Sequence, residues 1–319
     1  MESVGCETKR FRAISNFLCY VGRLMMLPAR YIDPKTDYGF KLIFSHKPIL
    51  RSFVNAVLPA ADRVVDFEYI GTEVLGGNPA GRIVIYDLRC LTTDGRTIIV
   101  ELQRLPQPYF KERALYYTMR AFDEQVRRGD EAYGLDPVYL IAVVDYDLPG
   151  DYSGYLHRFT LRNDDGAAFS DVLQLFFLEL SKIPPVSDAT DTLDPLEQWA
   201  EAIRHMPALD GIPAWVTEED LKKAFTVAEV AGLSKEERAK WERAFREDRD
   251  LRGQVLQQYI WGKQEGREEG REEGREEARA ETTREIAARA LAKGLALRDV
   301  ADLTGLALQE VQRISTERP

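Results

Sequence analysis

Cysteine and histidine are scarce in this 319-residue chain, with three of each: Cys6, Cys19, Cys90, His46, His157 and His205. They are scattered and form no CxxC pair, so neither a disulfide framework nor a Cys/His zinc site is expected. Long apolar runs are missing too. The run FLCYVGRLMML near the start is broken by Arg23 and falls well short of the roughly 20 residues that span a bilayer. No small-residue cleavage site accompanies it, so no signal peptide and no membrane span are expected, and the cytoplasm is the default location. Positive charge is in deficit, with 43 basic against 53 acidic residues and a net charge of −10. That balance argues against loose, field-driven coating of nucleic acid. It leaves room for an enzyme that meets a phosphodiester through a metal ion. GxGxxG and Walker-type phosphate loops are absent, so no nucleotide cofactor is expected.

What remains is an ordinary globular composition, 45% hydrophobic and 30% charged, in a chain long enough for about two domains. Residues 1–28 read as an N-terminal extension. A helical pattern follows from Asp33, with Phe40, Ile43 and Phe44 on one face. Pro48 opens a second helix carrying Leu50, Phe53, Val54 and Val57, and Pro59 ends it. The chain then turns to β-branched runs: VVDFEYIGTEVL, RIVIYDLRCLT, RTIIVELQ and PVYLIAVVDYDL, with an amphipathic stretch at 109–128 between the last two. Further strands are expected at 155–162 and 171–179. This order predicts an α/β domain at 29–180 with a mixed central sheet flanked by helices. Residues 181–255 read as a charged helical region with no strand signal.

From 256 to the end the sequence changes again. Gly262, Gly266, Gly270 and Gly274 recur every fourth residue between Glu and Arg. That spacing lays the glycines in a narrow stripe if the segment is helical. Each interior Gly costs a helix about 1 kcal/mol relative to Ala, so the stripe suggests a packing or self-association helix, with a solvated flexible linker as the other reading. The last block reads as helix, Gly294 turn, helix, Gly305 turn, helix, a helix-turn-helix-like cadence. Its 6 basic and 5 acidic residues from Arg284 to Pro319 favour a packing or oligomerisation module over a DNA reader.

The chemistry is expected in residues 83–103, IVIYDLRCLTTDGRTIIVELQ. Two β-runs flank Thr93-Asp94-Gly95, a hairpin signal. A two-residue loop would leave Asp87 and Glu101 on opposite faces. A three-residue loop with Gly95 left-handed pairs Thr92 with Arg96 and sets Asp87 opposite Glu101. The second register also sorts the hairpin, with Tyr86, Leu88, Cys90, Ile98, Val100 and Leu102 on an apolar face. Asp87, Arg89, Glu101 and Gln103 then share the other face with Ile85 and Ile99. Two opposed carboxylates repel, and a divalent cation resolves that conflict. Oxygen ligation by two carboxylates, a carbonyl and waters suits Mg²⁺.

Asp87, a hairpin and then Glu101-Leu102-Gln103 resemble the PD-(D/E)XK nuclease superfamily. DPKTDYGFKLIF, ELQRLPQPYFKERALYYTMRAF and PVYLIAVVDYDL together resemble, more narrowly, the Rpn-type recombination-promoting nuclease and putative transposase family. Asp37, Phe40, Lys41 and Phe44 upstream and Arg113, Tyr116 and Tyr117 downstream fall on the same pattern. The resemblance implies a restriction-endonuclease-like α/β core and a Mg²⁺-dependent DNA endonuclease, Mn²⁺ being an alternative ion, linked to recombination or mobile elements. It implies Asp87, Glu101 and the Leu102 carbonyl as metal ligands, with Asp37 as a further one or else a helix N-cap. Gln103 stands where the superfamily has lysine; an amide orients a water but supplies no charge. Arg113, or Lys111 beside it, would steady the phosphate, while Tyr116, Tyr117 and the three histidines are expected to be structural. The missing lysine also motivates the other reading, an inactive nuclease-fold protein that assembles through its C-terminal helices.

Overall fold

The computed structural model describes residues 29–74, 84–126, 134–186 and 192–316. The extension at 1–28, with Cys6 and Cys19, lies outside them. Two short helices come first, α1 (Asp37–Phe44) and α2 (Lys47–Val57). Strands β1 (Phe67–Tyr69), β2 (Glu73–Val74), β3 (Val84–Ile85), β4 (Leu88–Thr92) and β5 (Thr97–Gln103) follow. Then come α3 (Phe110–Asp123), β6 (Val138–Val144), β7 (Leu156–Arg162) and β8 (Ala168–Glu179). Helices α4 (Pro195–His205), α5 (Glu219–Ala228), α6 (Lys235–Ala292), α7 (Leu297–Thr304) and α8 (Leu308–Thr316) complete the chain.

The main sheet has the order β1-β4-β5-β6-β8-β7, mixed as expected. β5, β6 and β8 run parallel, and β1, β4 and β7 add antiparallel pairs at the two sides. A period of two sends alternate residues to opposite faces. Ile98, Val100, Tyr139, Ile141, Val143, Phe176 and Leu178 therefore enter one core, which α1, α2, α4 and α5 cover. Ile99, Leu140, Ala142, Val144, Leu175 and Phe177 enter the other, under α3. Both faces are covered, so the parallel strands read as continuous apolar runs.

The helices read at 181–255 contribute directly to the first core. Trp199 of α4 lies between Phe44 and Phe53, 5.8 Å from each ring, and its indole donates to Ser52 Oγ at 3.2 Å. Asp194 and Glu197 form a capping box that starts α4. Residues 30–32 meet the chain just after α5, where Ile32 N–H donates to the Ala228 carbonyl and Arg30 pairs with Glu229 at 3.0 Å.

The chain divides into two compact units at Arg246/Glu247, inside α6. In the second unit the glycine-striped stretch is helical, and an added Cβ at Gly262, Gly266, Gly270 or Gly274 would meet nothing within 4 Å. Beyond it, the end of α6 with α7 and α8 buries Ala287, Ala290, Val300 and Val311 in a small core of its own. Gly294 and Gly305 provide the turns with left-handed φ of 84° and 71°.

Candidate active site

The hairpin decides the site. Gly95 has φ +91°, its N–H donates to the Thr92 carbonyl at 3.0 Å, and Thr92 N–H donates to the Arg96 carbonyl at 2.9 Å. Leu88 pairs with Val100 and Cys90 with Ile98. This is the three-residue loop, and the same register carried onward sets Asp87 against Glu101.

The two acids are interlocked through the backbone. Asp87 N–H donates to Glu101 Oε1 at 3.1 Å, and Leu102 N–H donates to Asp87 Oδ2 at 2.8 Å. Within a strand residue, N–H and C=O point to the same side, so the Leu102 carbonyl also faces the β4 side. Among the described residues no hydrogen bond takes up Asp87 Oδ1 or Glu101 Oε2.

The expected face assignment needs one correction. Tyr86 packs with Ile99 in the core under α3, not with Leu88 and Cys90, and Ile85 is exposed. The chain bends at Asp87, and Tyr86 N–H has already left for the Thr72 carbonyl beside the small β2–β3 sheet. The simple alternation therefore stops at that bend.

Burial loads the pair with electrostatic strain. Glu101 is only 6% exposed, and burial first, then the Asp87 charge, push its carboxyl up to about 8. Asp87 is also raised, chiefly by burial and further by the Asp37 charge, against the opposing pull of the Leu102 N–H, Lys41 and Arg113. Two desolvated acids with unclaimed oxygens and only longer-range positive charge nearby suit a small hard cation. Among the described residues no group of three His, Cys, Asp or Glu side chains could hold a metal. A site here would therefore rest on two carboxylates, a carbonyl and waters, a set that Mg²⁺ accepts.

Asp37 stands at the first position of α1, free of the capping role. Thr36 is the N-cap, its hydroxyl accepting from Gly39 N–H at 3.0 Å. Asp37 pairs instead with Lys41 at 2.7 Å on the solvent side. The loop before α1 is anchored by charges that the sequence reading passed over. Lys35 reaches Asp145 at 2.9 Å just past β6, and Arg104 reaches Asp33 at 2.8 Å just past β5. Gly39 sits so close to the Asp33 carbonyl that a Cβ there would overlap its oxygen. Local sequence carries no signal for these anchors: Lys35 stands among Asp33, Thr36 and Asp37, and Arg104 between Gln103 and Gln107, as any surface charge would.

From α3, Arg113 donates to Gln103 Oε1, and to Gln107 Oε1 at 2.5 Å. Gln103 Nε2 donates to the Leu105 carbonyl at 2.7 Å. The amide at the lysine position thus has both ends engaged, and it holds a guanidinium whose field reaches both acids. Arg113 Nε is buried without an acceptor among the described residues. Tyr117, expected to be structural, packs edge-on to Tyr86 at 5.3 Å and feels the Glu101 charge. Lys111 does not join the group: it turns to the Pro149 carbonyl and Tyr152. His46, His157 and His205 make their contacts elsewhere, with Leu42, Glu179 and Glu201.

A family model described as PD-(D/E)XK nuclease family transposase matches residues 34–257, more than half of the chain. The chain belongs to that family. No curated protein and no solved structure matches it. The mixed six-stranded sheet flanked by helices is consistent with the PD-(D/E)XK α/β fold. Membership points to nuclease or transposase-like action on DNA, and PD-(D/E)XK nucleases typically use divalent metals. Among the described residues no helix is long and apolar enough to cross a membrane.

Proposed function

We propose that this PD-(D/E)XK family member is a metal-dependent DNA endonuclease whose working pair is Asp87 and Glu101. The interlocked carboxylates, Glu101 buried and Asp87 half-buried, carry the reading: Glu201 is also raised with an unclaimed oxygen, but the ionisable group it pairs with is His205 and not a second acid. Asp87, Glu101 and the Leu102 carbonyl would hold Mg²⁺ or Mn²⁺ with waters completing the set, while Asp37, paired with Lys41 on the solvent side, is not among the ligands. The bound cation supplies Lewis acidity, which acidifies a water and offsets charge on the phosphoryl oxygens. Arg113 adds fixed positive charge on the α3 side, where charge develops on the phosphate. Gln103 positions that guanidinium, so the charge that lysine would give from the strand arrives from the helix. The biological setting we propose is recombination or element mobility.

Incubating the full chain with supercoiled plasmid and Mg²⁺ should yield nicked and linear products, and EDTA or Glu101→Ala should stop it. Equal cutting by wild type and Glu101→Ala would discard the endonuclease reading. No cutting by a folded, metal-loaded wild type would favour the inactive, assembling protein that Gln103 suggests.

We also propose that the chain self-associates through α6. A helix advances about 100° per residue. Arg267, Arg271 and Arg275 therefore line one edge of the glycine stripe, and Glu269, Glu273 and Glu277 line the other. Two such helices side by side in parallel place the Arg edge of each against the Glu edge of its copy. An antiparallel pair would set like charges together, so the charge pattern supports a parallel pair.

A further inference from the structure

Across α3 from Arg113 lies a cavity of about 310 Å³ that the proposed nuclease chemistry does not use. Lys111 and Leu115 face it, each two residues, or about 200° of helix, from Arg113 and Tyr117. Its walls are apolar: Leu115, Leu148, and Phe159, Leu175 and Phe177 of the β7–β8 pair. Its volume is at the lower end for small-molecule pockets, enough for one short chain or ring system.

The lip of the cavity is built rather than loose. Gly150 has φ +140°, and a Cβ there would meet the Tyr152 ring at 2.5 Å. The ring can fold over the turn only because that side chain is missing. Tyr152 then packs edge-on against Phe159 at 5.5 Å. The turn is tied down from below by Glu179, which is fully buried. Glu179 accepts from Leu148 N–H at 2.7 Å and from Lys182 Nζ at 2.8 Å, and its carboxylate lies 2.5 Å from His157 Nε2. Lys182 also donates to the Tyr152 carbonyl at 3.1 Å. A preformed wall loses little freedom on binding.

One charge faces this apolar space. Among the described residues Lys111 is the only charged one lining it. Its ammonium donates to the Pro149 carbonyl and to Tyr152 Oη at 3.3 Å, and lies 5.0 Å from the Tyr152 ring centre. Those partners are neutral, and no carboxylate is within ion-pair distance of it among the described residues. An ammonium has three donors, so one donor and the whole charge remain for a ligand. The first turn of α3, where Lys111 sits, adds the positive end of the helix dipole.

We propose that this cavity binds a small amphipathic anion, an aliphatic carboxylate of medium chain length, with its chain among Leu175, Phe159 and Phe177 and its carboxylate on Lys111. The test is titration calorimetry of the full chain with sodium decanoate, independent of any nuclease activity. Saturable one-to-one binding is expected, and decyltrimethylammonium should give none. Lys111→Gln should weaken decanoate by about tenfold or more, since a charge-assisted contact is lost. Leu115→Trp, a substitution from a half-exposed helix position, should fill the space and remove binding; circular dichroism checks that both variants remain folded. No saturable heat with the wild type, equal affinity for the cation, or unchanged affinity in folded Lys111→Gln would each overturn the proposal.

Discussion

Replacing Glu101 with glutamine probes the buried acid pair through stability instead of turnover. Glutamine keeps an oxygen to accept the Asp87 N–H and removes the carboxyl that burial pushes up to about 8. The unfolded chain releases that proton near the ordinary value of 4.5, whereas the folded chain keeps it until about 8. Between those values the native state binds more protons, so stability falls as pH rises. Integrating this single site gives a loss of roughly 2 kcal/mol by pH 6 and roughly 5 by pH 9. Wild type should therefore lose about 3 kcal/mol more than Glu101→Gln between pH 6 and pH 9. For a unit of this size that is a divergence of about 6–12 °C in Tm. Groups remote from the pair cancel in the comparison; Asp87, whose charge helps to raise Glu101, does not, so its own titration adds to the difference. Thermal melts in metal-free buffer across that range, followed by the same melts with Mg²⁺, provide the measurement. Mg²⁺ should restore much of the high-pH loss in wild type and leave Glu101→Gln unmoved, because binding needs the ionised pair. Parallel pH profiles for the two proteins, or the same Mg²⁺ response in both, would refute the reasoning.

Other perturbations test neighbouring links. Gly39→Ala should destabilise the first unit by about 2–4 kcal/mol, an overpacking penalty, because the new methyl overlaps the Asp33 carbonyl; denaturant melts that match wild type would show that α1 is not held as described. Arg113→Ala should lower plasmid cleavage by about 100-fold, and Arg113→Lys should recover little, since the paired contacts to Gln103 and Gln107 need a planar fork; initial rates at saturating Mg²⁺ decide it. Reversing the α6 edge with Arg267→Glu, Arg271→Glu and Arg275→Glu together should abolish self-association. Adding Glu269→Arg, Glu273→Arg and Glu277→Arg should restore it, and sedimentation equilibrium that ignores both changes would remove the parallel pairing.

Local rules carried the reading of this chain far because its segments agree with their neighbours. The apolar spacing in 37–57 and Pro48 specify two helices whatever surrounds them. Thr93-Asp94-Gly95 marks the hairpin and admits a two- or a three-residue loop; the sorting of apolar from polar side chains favours the second, which the pairing of Leu88 with Val100 then shows. The opposition of Asp87 to Glu101 was legible for that reason. Alternation failed at Tyr86, where the strand bends and changes sheets, since periodicity records a face and is blind to a change of partner.

The sequence by itself determined the element order, the place of the hairpin and the two acids fourteen positions apart, because turns, helices and strand alternation are set by nearby residues, while the choice between the two hairpin registers rested on the structure. Only the tertiary structure decided which charges meet across long separations: Lys35 with Asp145, Arg104 with Asp33, Arg113 with Gln103. It also decided that Lys111 and Arg113 point to opposite flanks of one helix. Such pairings follow from how α3 and the loop before α1 are laid across the ends of β5 and β6. Burial, which raises the acids and shapes the cavity, is a property of that packing and is written in no single segment.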